Sequence, residues 1–272
     1  MIYTQAETNL HTHSFYCGHG VGTPIEYAQF ANLSLLGFTE HCPTPDNRWA
    51  STRMAYHQMS LYEEDVRTIE QEGLTVLLGY ECDYLSEYHT YYEELKERVD
   101  YLIFGVHDLA TKKGEEDSMF YRRLTKKDLY AYTDLYIQGL ESKLFLFGAH
   151  PDLFGFHYRS WDSEAIACSK AIIECAISND IGLEINGNGM RKGLVEADGQ
   201  ARYPYPIDHF WHLASTYPAL KVIASSDAHR PSDVTANIDE CMNLAETAGI
   251  TLASYQMKEG ITLVQLHTGS NV

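Results

Sequence analysis

Nine residues between positions 11 and 229 have the chemical types that bind borderline and hard cations: His11, His13, His19, His41, Glu81, His107, His150, Asp227 and His229. Imidazole nitrogens and carboxylate oxygens together suit zinc, iron or manganese. Nearly every one closes a short apolar run, where a strand would give way to a loop. His11 and His13 lie two apart, as do Asp227 and His229. An extended backbone turns both members of such a pair to one side, so His11 and His13 can chelate one ion. Gly18 and Gly20 flank His19 and allow a tight path back towards the first pair. Glu81 brings two carboxylate oxygens, enough to bridge two ions. A single histidine is ordinarily a polar residue satisfied by its neighbours, but this many at successive run ends exceed that need.

The elements that must carry these residues follow from periodicity. Apolar runs at 7–10, 35–39, 75–81, 101–107, 144–150, 181–186 and 220–226 are expected strands, and 23–33, 54–72, 88–99, 126–142, 163–180 and 207–217 are expected helices. Met54, Leu61, Val66 and Ile69 show the helical spacing, and Thr23 followed by Pro24 marks a helix start. Repeated strand–helix alternation implies a parallel sheet. Closure into a barrel is expected over an open sheet, because the candidate ligands come from the ends of six of the seven runs yet must converge, and barrel strands end at one mouth. The run 261–266 is a candidate eighth strand or closing edge. With no repeat, low-complexity tract or Pro/Gly/Ser-rich linker, residues 1–272 are expected to form one domain.

Composition narrows the function classes. The chain has 272 residues, 44% of them hydrophobic, and a formal net charge of -18, which argues against a basic nucleic-acid-binding surface. Cys17, Cys42, Cys82, Cys168, Cys175 and Cys241 form no CxxC pair and suit reduced thiols in the cytoplasm. Cys17, Cys42 and Cys82, close to candidate ligands, are expected as small buried packing residues. No apolar stretch reaches membrane-spanning length, and no membrane partner is expected.

The motifs HTHSFYCGHG, GFTEHCP, GYECDY, GVH, GAHPDLFGF, LEINGNGMRKG with the later YPYP, and SSDAHRPSDV run in order from about position 9 to 234. In these the chain resembles the polymerase-and-histidinol-phosphatase (PHP) superfamily, and within it the monofunctional histidinol-phosphate phosphatase type. The resemblance implies a single-domain distorted (β/α)7 barrel with three divalent metal ions, zinc, iron or manganese. It would place His11, His13, Glu81 and Asp227 on the first ion, Glu81, His107 and His150 on the second, and His19, His41 and His229 on the third. Glu81, Asp227 and His229 would then serve catalysis, and a metal-activated hydroxide would hydrolyse L-histidinol phosphate to L-histidinol and phosphate. Asn9, where many relatives carry Asp, and Asp108, where an apolar residue is commoner, depart from the pattern without removing a ligand.

The phosphate of such a small-molecule ester also needs cationic donors. Arg159 and Arg191 stand in the right segments, with Arg53, Arg202 and Arg230 as further candidates. Asp108 or Glu115 could meet a substrate amine, and His157 is either a proton donor to the leaving oxygen or a packing residue. The alternatives are a PHP phosphoesterase for another small phosphomonoester or nucleotide, and a barrel that metals merely brace. Structural zinc sites are cysteine-rich and closed, which this donor set is not.

Overall fold

The computed structural model describes residues 1–112 and 114–265; Leu266, expected at the end of the last strand, and His267 lie outside them. Seven parallel strands make the main sheet: β1 (Thr8–Asn9), β2 (Leu35–His41), β3 (Thr75–Asp83), β4 (Tyr101–Gly105), β5 (Phe147–Gly148), β6 (Gly182–Asn186) and β7 (Val222–Ser225). They stand side by side in sequence order. All seven fall inside or across the expected runs, although the run 144–150 yields only two ladder residues. β1 and β7 meet just past their ends. Thr12 bridges to Ala228 in parallel, and the His13 amide donates to the Ala228 carbonyl at 2.8 Å. The sheet is a nearly closed barrel.

Asn9 stitches this seam. Its amide donates to Ser226 Oγ at 2.7 Å and the Val234 carbonyl at 2.8 Å, and its oxygen accepts the Ser226 amide at 3.2 Å. A carboxylate at this position could accept but not donate.

Around the barrel lie α1 (Pro24–Phe30), α2 (Met59–Arg67), α3 (His89–Lys96), α4 (Lys126–Glu141), α5 (Ser163–Ser178), α6 (Asn188–Arg191), α7 (Asp208–Ala214) and α8 (Ile238–Ala248). α1 begins as its sequence dictates, with Thr23 and Glu26 in a reciprocal capping box and Pro24 in the first turn. α4 and α5 are capped by Thr125 and Asp162, whose side chains accept the amides three residues on. α2 is shorter than the run 54–72 because a 3-10 turn, Tyr56–Gln58, precedes it. Among the described residues no helix is long and apolar enough to cross a membrane.

Strand alternation divides the core in two. On β3, Leu78, Tyr80 and Cys82 face outward into the layer under the helices, whereas Leu77 faces the barrel interior with Leu10, Leu35, Tyr101, Ile103, Phe147 and Ile223. That interior cluster, near the strand starts, is completed by Tyr3, Tyr255 and Leu263 from a separate antiparallel sheet of Ile2–Tyr3, Ser254–Met257 and Ile261–Val264. The last run is therefore a strand, but it plugs the barrel floor instead of joining the wall. Apolar side chains fill one end of the barrel and leave the other to polar groups.

Candidate metal centre

The alternation that turns Leu77 inward also turns Glu81 and Asp83 inward, and ladder register sets His41 beside Glu81. His107 and His150 follow the ends of β4 and β5 by two residues, His11 and His13 follow β1, and Asp227 and His229 follow β7. All nine candidates thus gather at the mouth formed by the strands' C-terminal ends. His150 and Asp227 adopt positive φ, 32° and 50°, a costly backbone region for residues other than glycine that bends each side chain back over the site.

Glu81 is buried at the centre and its two oxygens face different neighbours. Oε2 lies 2.9 Å from His41 Nδ1, 3.5 Å from His11 Nε2 and 3.4 Å from His13 Nε2. Oε1 lies 2.9 Å from His150 Nε2 and 3.4 Å from His107 Nε2. Asp227 Oδ1 stands 3.6 Å and 3.4 Å from the Nε2 atoms of His11 and His13, and 3.4 Å from His229 Nδ1. Donor atoms fall into clusters within 4.8 Å that include His11, His13 and Asp227; Glu81, His107 and His150; and His19, His41 and His229.

The atomic environment suits cations. His11 Nε2 faces His13 Nε2 at 3.0 Å, and His19 Nε2 faces His229 Nε2 at 3.0 Å. Two ring nitrogens pointed at each other are competing acceptors unless a proton or an ion lies between or beside them. Glu81 Oε2 and His41 Nδ1 are buried and close, yet neither makes a hydrogen bond. Buried polar atoms are almost always satisfied, so divalent ions fit these residues.

Protonation points the same way. Burial, with the imidazoles of His41 and His229, holds His13 well below the usual histidine value. Burial likewise lowers His41 despite Glu81, and pushes His229 down to about 4. Burial opposes the ionisation of Glu81, but His107, His11 and His41 outweigh it and hold the carboxyl well below its ordinary range; His11, His229 and His13 do the same for Asp227. His11 and His150 run opposite: burial lowers them, but Glu184, Asp227 and Glu81 lift His11, and Glu81 lifts His150. Cations replace those protons on ligation.

A further layer of buried carboxylates and amides aims the nine. Asp83 accepts the His107 backbone amide through Oδ1 at 2.7 Å and faces His107 Nδ1 with Oδ2 at 3.1 Å, the oxygen to which Arg53 also donates. Glu184 on β6 faces His11 Nδ1 at 2.7 Å and accepts the His150 amide at 3.0 Å. Asn186 and Asn188 both donate to Asp227 Oδ2 at 3.1 Å. Sequence reasoning passed over Asp83 and Glu184. The signal was an acid inside an otherwise apolar run, two residues past Glu81 in one case and mid-strand in the other.

The mouth opens into a cavity of about 740 Å3 walled by His19, His41, Arg53, Arg191, Lys192 and Arg230, among others. Arg191 reaches it, but its guanidinium also donates to the carbonyls of Ser226 (2.6 Å) and Asp227 (3.0 Å), so it braces the loop that carries Asp227. Arg159 is not brought to the mouth. It lines a separate hollow with Arg123 and the 196–199 turn, because the 3-10 turn Leu153–Phe156 carries the chain away from His150. Both oxygens of Asp108 accept loop amides, of Ala110 and Asp117 at 2.8 Å each, so it holds its own loop together. His157 faces the Phe120 carbonyl at 2.9 Å and packs on Phe156. Cys17, Cys42 and Cys82 are buried and unpaired.

A parallel barrel whose polar mouth gathers imidazoles and carboxylates about one central glutamate defines a divalent-metal-binding (β/α)7 protein. Residues 9–188 match the PHP domain family, and the chain belongs to it. It is 33% identical to a probable histidinol-phosphatase of Deinococcus radiodurans, over 82% of this chain and 86% of that protein. The fold matches a putative histidinol phosphatase of Listeria monocytogenes at a TM-score of 0.65 and 19% identity, covering 84% of this chain and 97% of that one. It equally matches the histidinol phosphate phosphatase of Lactococcus lactis subsp. lactis, solved with zinc, L-histidinol and phosphate, at a TM-score of 0.65 and 14% identity over 92% and 97% of the two chains.

Proposed function

We propose that this chain is a metal-dependent phosphomonoesterase that hydrolyses L-histidinol phosphate to L-histidinol and phosphate. The observation that carries this is Glu81, whose two oxygens address separate sets of imidazoles at one barrel mouth. The curated relative named a probable histidinol-phosphatase supports the substrate.

Three divalent ions, zinc, iron or manganese, fit the donor groups: His11, His13, Glu81 and Asp227; Glu81, His107 and His150; and His19, His41 and His229. Ions held there supply Lewis-acid charge to phosphoryl oxygens and acidify water enough for attack at neutral pH. The chain's own residues set the frame. Asn186 and Asn188 fix Asp227 from behind, and Arg191 fixes its backbone. Lys192 and Arg230, on the wall near His229, offer positive charge to the ester's anion. Trp49, Phe120 and Tyr121 also line the cavity, and the Phe120 ring sits 6.2 Å from that of His107. These rings suit the flat imidazole of the leaving group.

The test is steady-state hydrolysis of histidinol phosphate against a panel of sugar, nucleotide and aryl monoesters. A preference in kcat/KM of a hundredfold or more, about 2.7 kcal/mol of transition-state discrimination, is expected. Comparable rates across the panel would reject the substrate and leave a general phosphomonoesterase.

A further inference from the structure

Glu184 is not among the residues that wall the cavity at the mouth, yet it is completely buried in the middle of β6, between Leu183 and Ile185. Taking a carboxylate out of water costs several kcal/mol unless its oxygens are well occupied. Here they are, and by two partners from separate donor groups. Oε1 faces His11 Nδ1 at 2.7 Å. Oε2 accepts the backbone amide of His150 at 3.0 Å and the Asn186 side-chain amide at 2.8 Å.

Each contact has a consequence for ligation. A carboxylate against Nδ1 keeps the proton on that nitrogen, which leaves Nε2 of His11 as the free lone pair, the atom that points at His13, Glu81 and Asp227. The second contact holds a residue in a conformation it would not choose. His150 has φ of 32°, and it is this bend that brings its Nε2 to 2.9 Å from Glu81 Oε1. Asn186, tied to the same Oε2, also donates to Asp227. Glu184 therefore reaches both ion groups that share Glu81, and none of its contacts reaches His19, His41 or His229.

We infer that Glu184 is a positioning residue that presets the two Glu81-sharing metal groups together, by fixing the His11 tautomer through one oxygen and the His150 backbone through the other. The inference rests on the metal centre proposed above. It predicts that the two groups gain or lose affinity as a pair, while the His19, His41 and His229 group stays independent of Glu184.

The experiment titrates zinc into the metal-free full chain and its Glu184→Gln and Glu184→Ala variants, with the histidine ring nitrogens followed by NMR. In Glu184→Ala, affinity at the two shared groups should fall roughly 10–100-fold with ring signals of the third group still showing ligation. Glu184→Gln, which keeps one acceptor oxygen, should fall between. Unchanged zinc binding with only a lowered melting temperature would overturn the inference and make Glu184 a plain core residue, as would a loss confined to the third group. Should neither variant fold, the zinc-loaded wild type still decides: His11 must carry its proton on Nδ1 and its metal on Nε2, and ligation through Nδ1 refutes the claim. The readout is metal, so a different ester substrate would leave the inference standing. Equally, its failure would leave the phosphatase assignment untouched.

Discussion

His229 shows how one side chain can be tuned by where its strand end leaves it. It keeps 21% of its side chain exposed, yet its imidazole is pushed down to about 4, chiefly by burial, with Asp227 resisting and His19 assisting. The unfolded chain protonates a histidine near pH 6.5. Between that pH and about 4 the unfolded state therefore holds a proton that the folded state lacks, so acid favours unfolding through this residue. Its contribution is present above pH 6.5 and is lost as pH falls towards 4. In metal-free protein, wild type should lose stability relative to His229→Gln across this window, by on the order of 2 kcal/mol given the ring's partial exposure. Denaturant unfolding of both proteins at several pH values measures it, and a flat difference would show that His229 does not hold its proton that weakly. At this scale the sequence was most readable. An imidazole pair at spacing two, or an acid closing an apolar run, has few structural uses. Glu184 and Asp83 were less readable, since a buried acid declares what it serves only when its partners, from other strands, are known.

At the level of elements, the site depends on strand register and on what is missing from one strand. A methyl group at Gly105, on β4, would lie 2.5 Å from His150 Cε1, 2.9 Å from Glu81 Oε1 and 3.0 Å from His107 Cε1. Those separations are inside van der Waals contact, so the three donors of one ion group can close up only because the strand carries no side chain there. Gly105→Ala should displace that group and cut metal content and activity at least tenfold while the apolar floor of the barrel keeps the fold. Metal analysis beside a thermal melt separates the two effects; full metal occupancy in the variant would show that the group tolerates the methyl. The strands themselves were legible because each is a compact apolar run. α8 was not, being bounded by residues in left-handed conformation, Asn237 and Gly249, with only Ile238 and the small Cys241 and Ala245 marking its buried face. Nor was the Val195–Ala197 and Gln200–Arg202 hairpin, too short and polar to show a period. Arg159 was placed at the mouth from its nearness in sequence to His150, which the intervening 3-10 turn undoes.

For the whole molecule the decisive contrast is between the barrel's two ends. The floor is sealed by apolar packing of Tyr3, Tyr255 and Leu263, in a cluster that contains none of the candidate ligands. The mouth holds Glu81 and Asp227, with Glu184 behind them, all buried, in a chain already at a formal net charge of -18, and most of what faces these acids is imidazole. Divalent ions that bind only the folded chain stabilise it by mass action, about 2.7 kcal/mol per site at a free concentration a hundredfold above Kd. In a chain of this size that corresponds to a melting temperature raised by roughly 5–10 °C for each such site. Chelation should therefore lower the melting temperature, and the loss should be uneven. Amide hydrogen exchange should quicken around residues 11–20 and 226–234, whose seam is held by the Thr12–Ala228 bridge and by ligands from both sides. Amides of Tyr255 and Gln256, in the central strand of the floor sheet, should stay protected until global unfolding. If chelation loosened floor and mouth alike, the ions would be bracing the barrel as a whole. If it changed neither, the mouth would not be a metal centre.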